Sequence, residues 1–287
     1  MKLYNHYTSY EYKLGKKGYS EDEVKSILKL DKKYINYALK NDYDKLFVPL
    51  TSQKYFIWRK YKDYKTYINS KYKNSKIDYD DVIVKVNTKT NYDYYTHTSL
   101  TNMDLGYGIL VNKYYSLPSK YAPDDVVSMS SQYSYPGNSI RKEVYDAFKE
   151  MALAAKENKI TLIVNSSYRD YKTQKDIYDD YADKNGKEYA DKFAARPDYS
   201  EHQTGLALDI FTPGAGMKTF GETDAFKWLL NNSYKYGFIL RYPEGKENIT
   251  GYAYEAWHYR YLGKDLAKKV YESGLTFDEY YVYYLEK

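Results

Sequence analysis

An aspartate stands inside an apolar run of strand length, Leu206-Ala207-Leu208-Asp209-Ile210-Phe211. Side chains alternate across a strand, so Leu206, Leu208 and Ile210 take one face and Ala207, Asp209 and Phe211 the other. One face therefore suits a hydrophobic core while the other carries a carboxylate. Burying an unpaired carboxylate is costly, so Asp209 needs a partner, and either a metal ion or an arginine can supply it. Gly205 lets the backbone turn tightly just before the strand. Ahead of that turn stand Ser200, able to bind a ligand or cap the turn, and His202.

The rest of the chain constrains what can surround this strand. The first third reads as mostly helical: Ser20 caps a helix over Glu21-Asp22-Glu23 with Glu23 in the capping-box position, and Val24, Ile27 and Leu28 recur at helical spacing. Further helices are expected over 32–39 and 53–68, and the β-branched run Val82-Ile83-Val84 predicts a strand over 80–86. Gly/Pro punctuation from Gly106 to Gly137 marks turns. Beyond it the pattern predicts a helix over 140–158, a strand over 160–164, a helix over 173–181 and a polar excursion over 185–197. Strand 206–211, helix 224–232, an extended piece over 237–241 and a helix over 263–272 follow. Connections this short do not fit repeated crossover units. They indicate an α+β fold, a mainly antiparallel sheet with flanking helices. The expected organisation is a mostly helical N-terminal region, 1–105, of unassigned role, and a main domain over 106–287.

Composition removes several function classes. With 43% hydrophobic and 29% charged residues the chain is globular rather than disordered. The net charge of +5 is small and spread out, so no basic stripe of the kind that binds nucleic acid is present. Cysteine is absent, which removes thiol catalysis and disulfide stapling. No stretch is apolar enough to span a membrane, and Met1 to Tyr7 are not followed by an apolar run of signal-peptide length. Cytoplasmic residence and an envelope location with a removed leader both fit that start. Tyrosine accounts for 42 of 287 residues. Exposed tyrosines would suit a saccharide- or wall-binding face, but their spread along the whole chain reads first as a compositional bias that replaces other large residues. Oligomeric state leaves no trace in the sequence.

Of four histidines, His202 and His258 lie beside acidic residues, whereas His6 and His97 do not. Two imidazoles and a carboxylate suit one zinc ion with a coordination position left open. His202, Asp209 and His258 make up that set. Glu255, three residues before His258, is then a spare carboxylate able to act as general base. As a surface group it would instead pair with Arg260 or Lys246.

The segments Ser200 to Asp209 and Glu255-Ala256-Trp257-His258-Tyr259-Arg260-Tyr261 resemble the zinc D-alanyl-D-alanine carboxypeptidases of the VanY type, peptidase family M15. Ser167-Tyr168-Arg169-Asp170-Tyr171-Lys172-Thr173-Gln174 resembles the family's upstream motif, and the likeness extends over roughly 110–281. The resemblance implies His202, Asp209 and His258 as zinc ligands and Glu255 as general base and later proton donor. It implies Arg169 as the cation that orients substrate and stabilises developing negative charge, with Gln174 and Ser200 supporting the substrate pocket and Trp257 forming its wall. It further implies a peptidoglycan stem peptide ending in D-Ala-D-Ala as substrate, and a cell-envelope or extracellular location. An endopeptidase or an L,D-carboxypeptidase with the same zinc chemistry, or a cell-wall binding protein with a structural metal, stays open.

Overall fold

In a computed structural model of the chain, which describes residues 9–286, the backbone divides into two units between Val86 and Asn87. His6 and the opening heptad lie outside the described residues. The division falls earlier than the expected 105/106. Ser99 and Leu100 pair with Tyr115 and Ser116, and Tyr92 and Leu105 pack on the cluster around Tyr114 and Phe277, so residues 87–105 go with the second unit.

The first unit is helical: α1 (Tyr10–Lys16), α2 (Glu21–Ile27), α3 (Lys32–Lys40), α4 (Phe47–Thr51), α5 (Tyr61–Lys71) and α6 (Tyr79–Thr88). The expected capping box starts α2. The Glu23 N–H donates to Ser20 Oγ at 3.3 Å, and the Ser20 N–H donates to the Glu23 carboxylate at 2.8 Å. Two expectations are corrected here. The helix sought over 53–68 starts only at Tyr61, because Ile57 is extended and its N–H donates to the Tyr64 hydroxyl at 3.1 Å. The strand sought over 80–86 is helix α6. Its start carries Asp80 and Asp81 in the first turn, and Asp78 accepts from the Asp81 N–H at 3.1 Å. Val82, Ile83 and Val86 then enter the unit's core at helical spacing.

The second unit holds a four-stranded sheet in the order β5-β6-β8-β7, antiparallel throughout, formed by β5 (Ile163–Ser166), β6 (Ala207–Phe211), β7 (Phe238–Tyr242) and β8 (Glu255–Tyr261). Short pairs β1 (Ser99–Leu100) with β2 (Tyr115–Ser116) and β3 (Val126–Ser128) with β4 (Ser139–Arg141) accompany it. The pairing of β4 takes Ile140 out of the expected helix, which runs instead as α7 (Lys142–Glu157). Next come α8 (Tyr171–Asn185), α9 (Lys187–Phe193) inside the polar excursion, α10 (Asp224–Asn232), α11 (Glu247–Thr250), α12 (Lys264–Ser273) and α13 (Phe277–Tyr280).

The alternation read in β6 is realised. Leu206, Leu208 and Ile210 join Val144, Phe148 and Met151 of α7 in the main core, leaving Asp209 to the opposite face. Part of the tyrosine excess is core: Tyr64, Tyr114 and Tyr259 are among the largest fully buried side chains. Among the described residues no helix is long and apolar enough to cross a membrane.

Candidate active site

The two central strands supply the site. Asp209 on β6 stands directly opposite His258 on β8 in the ladder. His202 lies on the short 3-10 turn Glu201–Thr204 that leads into β6. Gly205 ends that turn with φ of 67°, and a Cβ there would come within 2.7 Å of Arg141 Cγ. Only glycine meets both demands, so the spacing from His202 to Asp209 depends on it.

Glu255 reaches the same centre by a less regular route. Residues three apart on a regular strand face opposite ways. The register between β7 and β8 shifts, with Leu240 opposite Tyr259 but Tyr242 opposite Glu255, and this irregularity lets Glu255 Oε2 come within 3.5 Å of His258 Nδ1.

Among the described residues, His202, Asp209 and His258 are buried and offer ligand atoms that all lie within 4.8 Å of one another. Hydrogen bonds on the far side of each ring fix which nitrogen points inward. His202 Nδ1 lies 2.7 Å from the Ser167 carbonyl, to which it can only donate, so Nε2 carries the lone pair. His258 Nε2 lies 3.3 Å from Glu201 Oε2, which leaves Nδ1 facing inward.

Those two lone pairs point at Asp209 Oδ1, at 3.4 and 3.3 Å, and this buried oxygen has no hydrogen-bond partner. Three nitrogen and oxygen atoms converging on one point fit a cation. Two imidazole nitrogens and one carboxylate oxygen are the donor types zinc takes.

Burial and neighbouring charges pull these groups in different directions. Burial works to raise the Asp209 carboxyl, but the two imidazoles hold it well below the usual carboxylate range. Burial lowers His202 to about 4, helped by the Arg169 charge. Burial also works to lower His258, but the Asp209 and Glu201 carboxylates outweigh it and lift this imidazole to about 9, so the centre calls for positive charge at the point where a metal ion would supply it. Burial raises Glu255 to about 7, reinforced by Asp209 and opposed by His258 and Arg169.

Arg169 follows β5 and is held on three sides. Its Nε donates to Ser166 Oγ at 3.1 Å, one terminal nitrogen to Gln174 Oε1 at 3.0 Å, and the other faces Asp209 Oδ2 at 3.4 Å. Gln174 in turn donates to the Ala195 carbonyl at 2.8 Å, tying Arg169 to the segment after α9. Ser200 and Trp257 also line the cavity, of about 340 Å³, into which the site opens, with Trp257 stacked on Phe211 at 6.1 Å. Phe193, Tyr181 and Met217 give the same cavity an apolar side.

Every predicted site residue thus reaches one cavity. His97 does not; it is exposed and stacks on Tyr92 with ring centroids 3.7 Å apart. Sequence reasoning passed over Glu201, Arg241 and Arg260. Arg260 pairs not with Glu255 but with Glu201, at 2.8 Å. The signal was available: a charged residue in an apolar strand needs a partner, and both arginines sit in such strands, as Asp209 does.

A buried His/Asp/His centre with a further carboxylate beside it, built on two central antiparallel strands, has the make-up of a metallopeptidase. The VanY family profile, described as D-alanyl-D-alanine carboxypeptidase, matches residues 137–264, and the chain belongs to this family. It is 35% identical to a D-alanyl-D-alanine carboxypeptidase of Enterococcus faecalis (strain ATCC 700802 / V583) over 60% of this chain and 64% of that one. The LdcB LD-carboxypeptidase structure matches with a TM-score of 0.61 and 42% identity, over 66% of this chain and 91% of that one. A vancomycin resistance D,D-pentapeptidase VanY from a VanB-type cassette, in complex with Zn(II), matches with a TM-score of 0.53 and 34% identity, over 60% and 97%. The chain spans 66%, 64% and 58% of the length of three curated relatives.

Proposed function

We propose that the chain is a zinc-dependent D-alanyl-D-alanine carboxypeptidase that removes the terminal D-alanine from peptidoglycan stem peptides or their precursors. The observation that carries this is the convergence of His202 Nε2, Asp209 Oδ1 and His258 Nδ1 beside Glu255. His202, Asp209 and His258 would hold one zinc ion, which supplies Lewis-acid polarisation and acidifies water.

The chain's own groups do the rest. Glu255, at the edge of the triad, takes the proton of the attacking water and returns it to the departing amine. Arg169 is held in place before substrate arrives, so it costs no reorganisation when negative charge develops on the carbonyl oxygen or when a terminal carboxylate docks. Gln174 keeps Arg169 aimed, and Ser200 and Trp257 shape the pocket around the last residues of the peptide. Such a substrate places the reaction at the cell envelope.

The likeness to LdcB favours a second reading, an L,D-carboxypeptidase with the same residues in the same roles. Mass spectrometry on stem pentapeptide and tetrapeptide with added zinc separates the two. Loss of one D-alanine from pentapeptide alone supports the first reading, loss from tetrapeptide the second, and an internal cut makes the protein an endopeptidase. In the first reading chelation abolishes release, and Glu255→Gln lowers it about 10²–10⁴-fold with zinc retained. Full activity in that variant removes Glu255 from the mechanism.

A further inference from the structure

Behind His258 lies a set of charges that the reaction does not touch. Glu201 is 1% exposed, and Arg241 and Arg260 are fully buried. Glu201 Oε1 accepts from Arg241 Nε and from Arg260, both at 2.8 Å, which leaves Oε2 for His258 Nε2 at 3.3 Å. Arg241 also holds both oxygens of Asp278 on α13, and Asp278 Oδ1 accepts from Asn112 Nδ2 at 2.7 Å. Arg260 also donates to the carbonyls of Tyr107, Ile109 and Tyr261.

A buried ion set of this kind contributes little net stability compared with apolar packing, since desolvation offsets the attraction. What it does fix is geometry. A carboxylate behind a ligating imidazole sets its tautomer and ring orientation. Here the two arginines occupy one Glu201 oxygen and turn the other to the ring. Asp278 and Asn112 lie outside residues 137–264, so the brace reaches beyond the segment matched by the family profile.

We propose that Glu201 is a positioning residue that fixes His258 with Nδ1 toward the triad, and that Asp278 acts in the same brace through Arg241. This makes α13 part of the metal site's support. The inference rests on the zinc reading above and concerns the imidazole's orientation rather than the reaction.

Two measurements on the full chain test it. The first needs no variant: long-range 1H–15N spectra of the zinc-loaded protein report which nitrogen of each histidine carries the proton. The expected result is opposite tautomers, the proton on Nε2 in His258 and on Nδ1 in His202. A proton on Nδ1 of His258 overturns the proposal.

The second is zinc affinity by competition with a chromophoric chelator, with thermal unfolding of the metal-free protein followed in parallel. Glu201→Gln should weaken zinc about 10–100-fold, and Asp278→Asn, which keeps Glu201 itself, should weaken it by a smaller factor. Wild-type affinity in a folded Glu201→Gln variant overturns the proposal while leaving the zinc reading intact. If wild-type protein takes up no zinc, the zinc reading fails and this proposal with it. Should Glu201→Gln not fold, Asp278→Asn and the tautomer spectra decide the matter.

Discussion

At the scale of single residues, the site is made of groups whose freedom has been removed from behind. Gln174 shows how: read as a pocket residue, it has one amide end on Arg169 and the other on the Ala195 carbonyl, so its main work is to aim the arginine. Gly205 is the backbone counterpart, with φ of 67° and Arg141 Cγ 2.7 Å from where a Cβ would stand. Gly205→Ala should therefore lower unfolding stability by about 2–4 kcal/mol through left-handed strain and overpacking together, read as a shift in urea midpoint. A shift below about 0.5 kcal/mol, the ordinary surface range, would mean that Arg141 yields freely. The glycine was legible as a turn residue. Its second demand was not, because Arg141 is brought to it only by the tertiary fold.

At the scale of elements, the sheet works because α7 covers one face of β6. Phe148 is fully buried in the core that Leu208 and Ile210 enter from the strand. Phe148→Ala should cost about 3–5 kcal/mol in urea unfolding, with the metal-ligand distances of a refolded sample unchanged by X-ray absorption. Loss of the ligand set at equal folding would show that the core face and the site face are not separable. The sequence disclosed β6 because its face alternation is strict, and helix 224–232 because its boundaries carry clear signals; the latter matches α10 residue for residue. It misassigned α6, where a β-branched triplet outweighed the acidic first turn that governs the observed helix. The convergence of Glu255 with His258 could be suspected from their spacing on a helical turn. The actual device, a register shift within a strand, depends on the partner strand β7 and has no local signature.

At the scale of the whole molecule, each of the two units has its own core, so each can report separately on conditions. In the helical unit, burial works to raise the Asp44 carboxyl, but Lys65, the Leu46 N–H and the Tyr61 hydroxyl outweigh it and hold the group below its ordinary value. A carboxyl depressed in the folded state contributes stability above its unfolded pKa of about 3.9, and that contribution is lost as pH falls through the lower, folded value. Below about pH 4 the urea midpoint reported by Trp58, the one tryptophan in residues 1–86, should fall with decreasing pH. Asp44→Asn should flatten that fall, and an equally steep fall in the variant would assign the acid sensitivity elsewhere. The division itself was hard to place from sequence, because residues 87–105 carry little strand character and join the second unit through pairing with Tyr115 and Ser116. Glu201, Arg241, Arg260 and Asp278 answer one another inside the protein, so losing any one strands a charge on its neighbours. Their substitution effects should be strongly non-additive. Descendants of this chain should therefore keep all four or exchange them in concert, inheriting them as a block while the solvent-facing lysines around them drift independently.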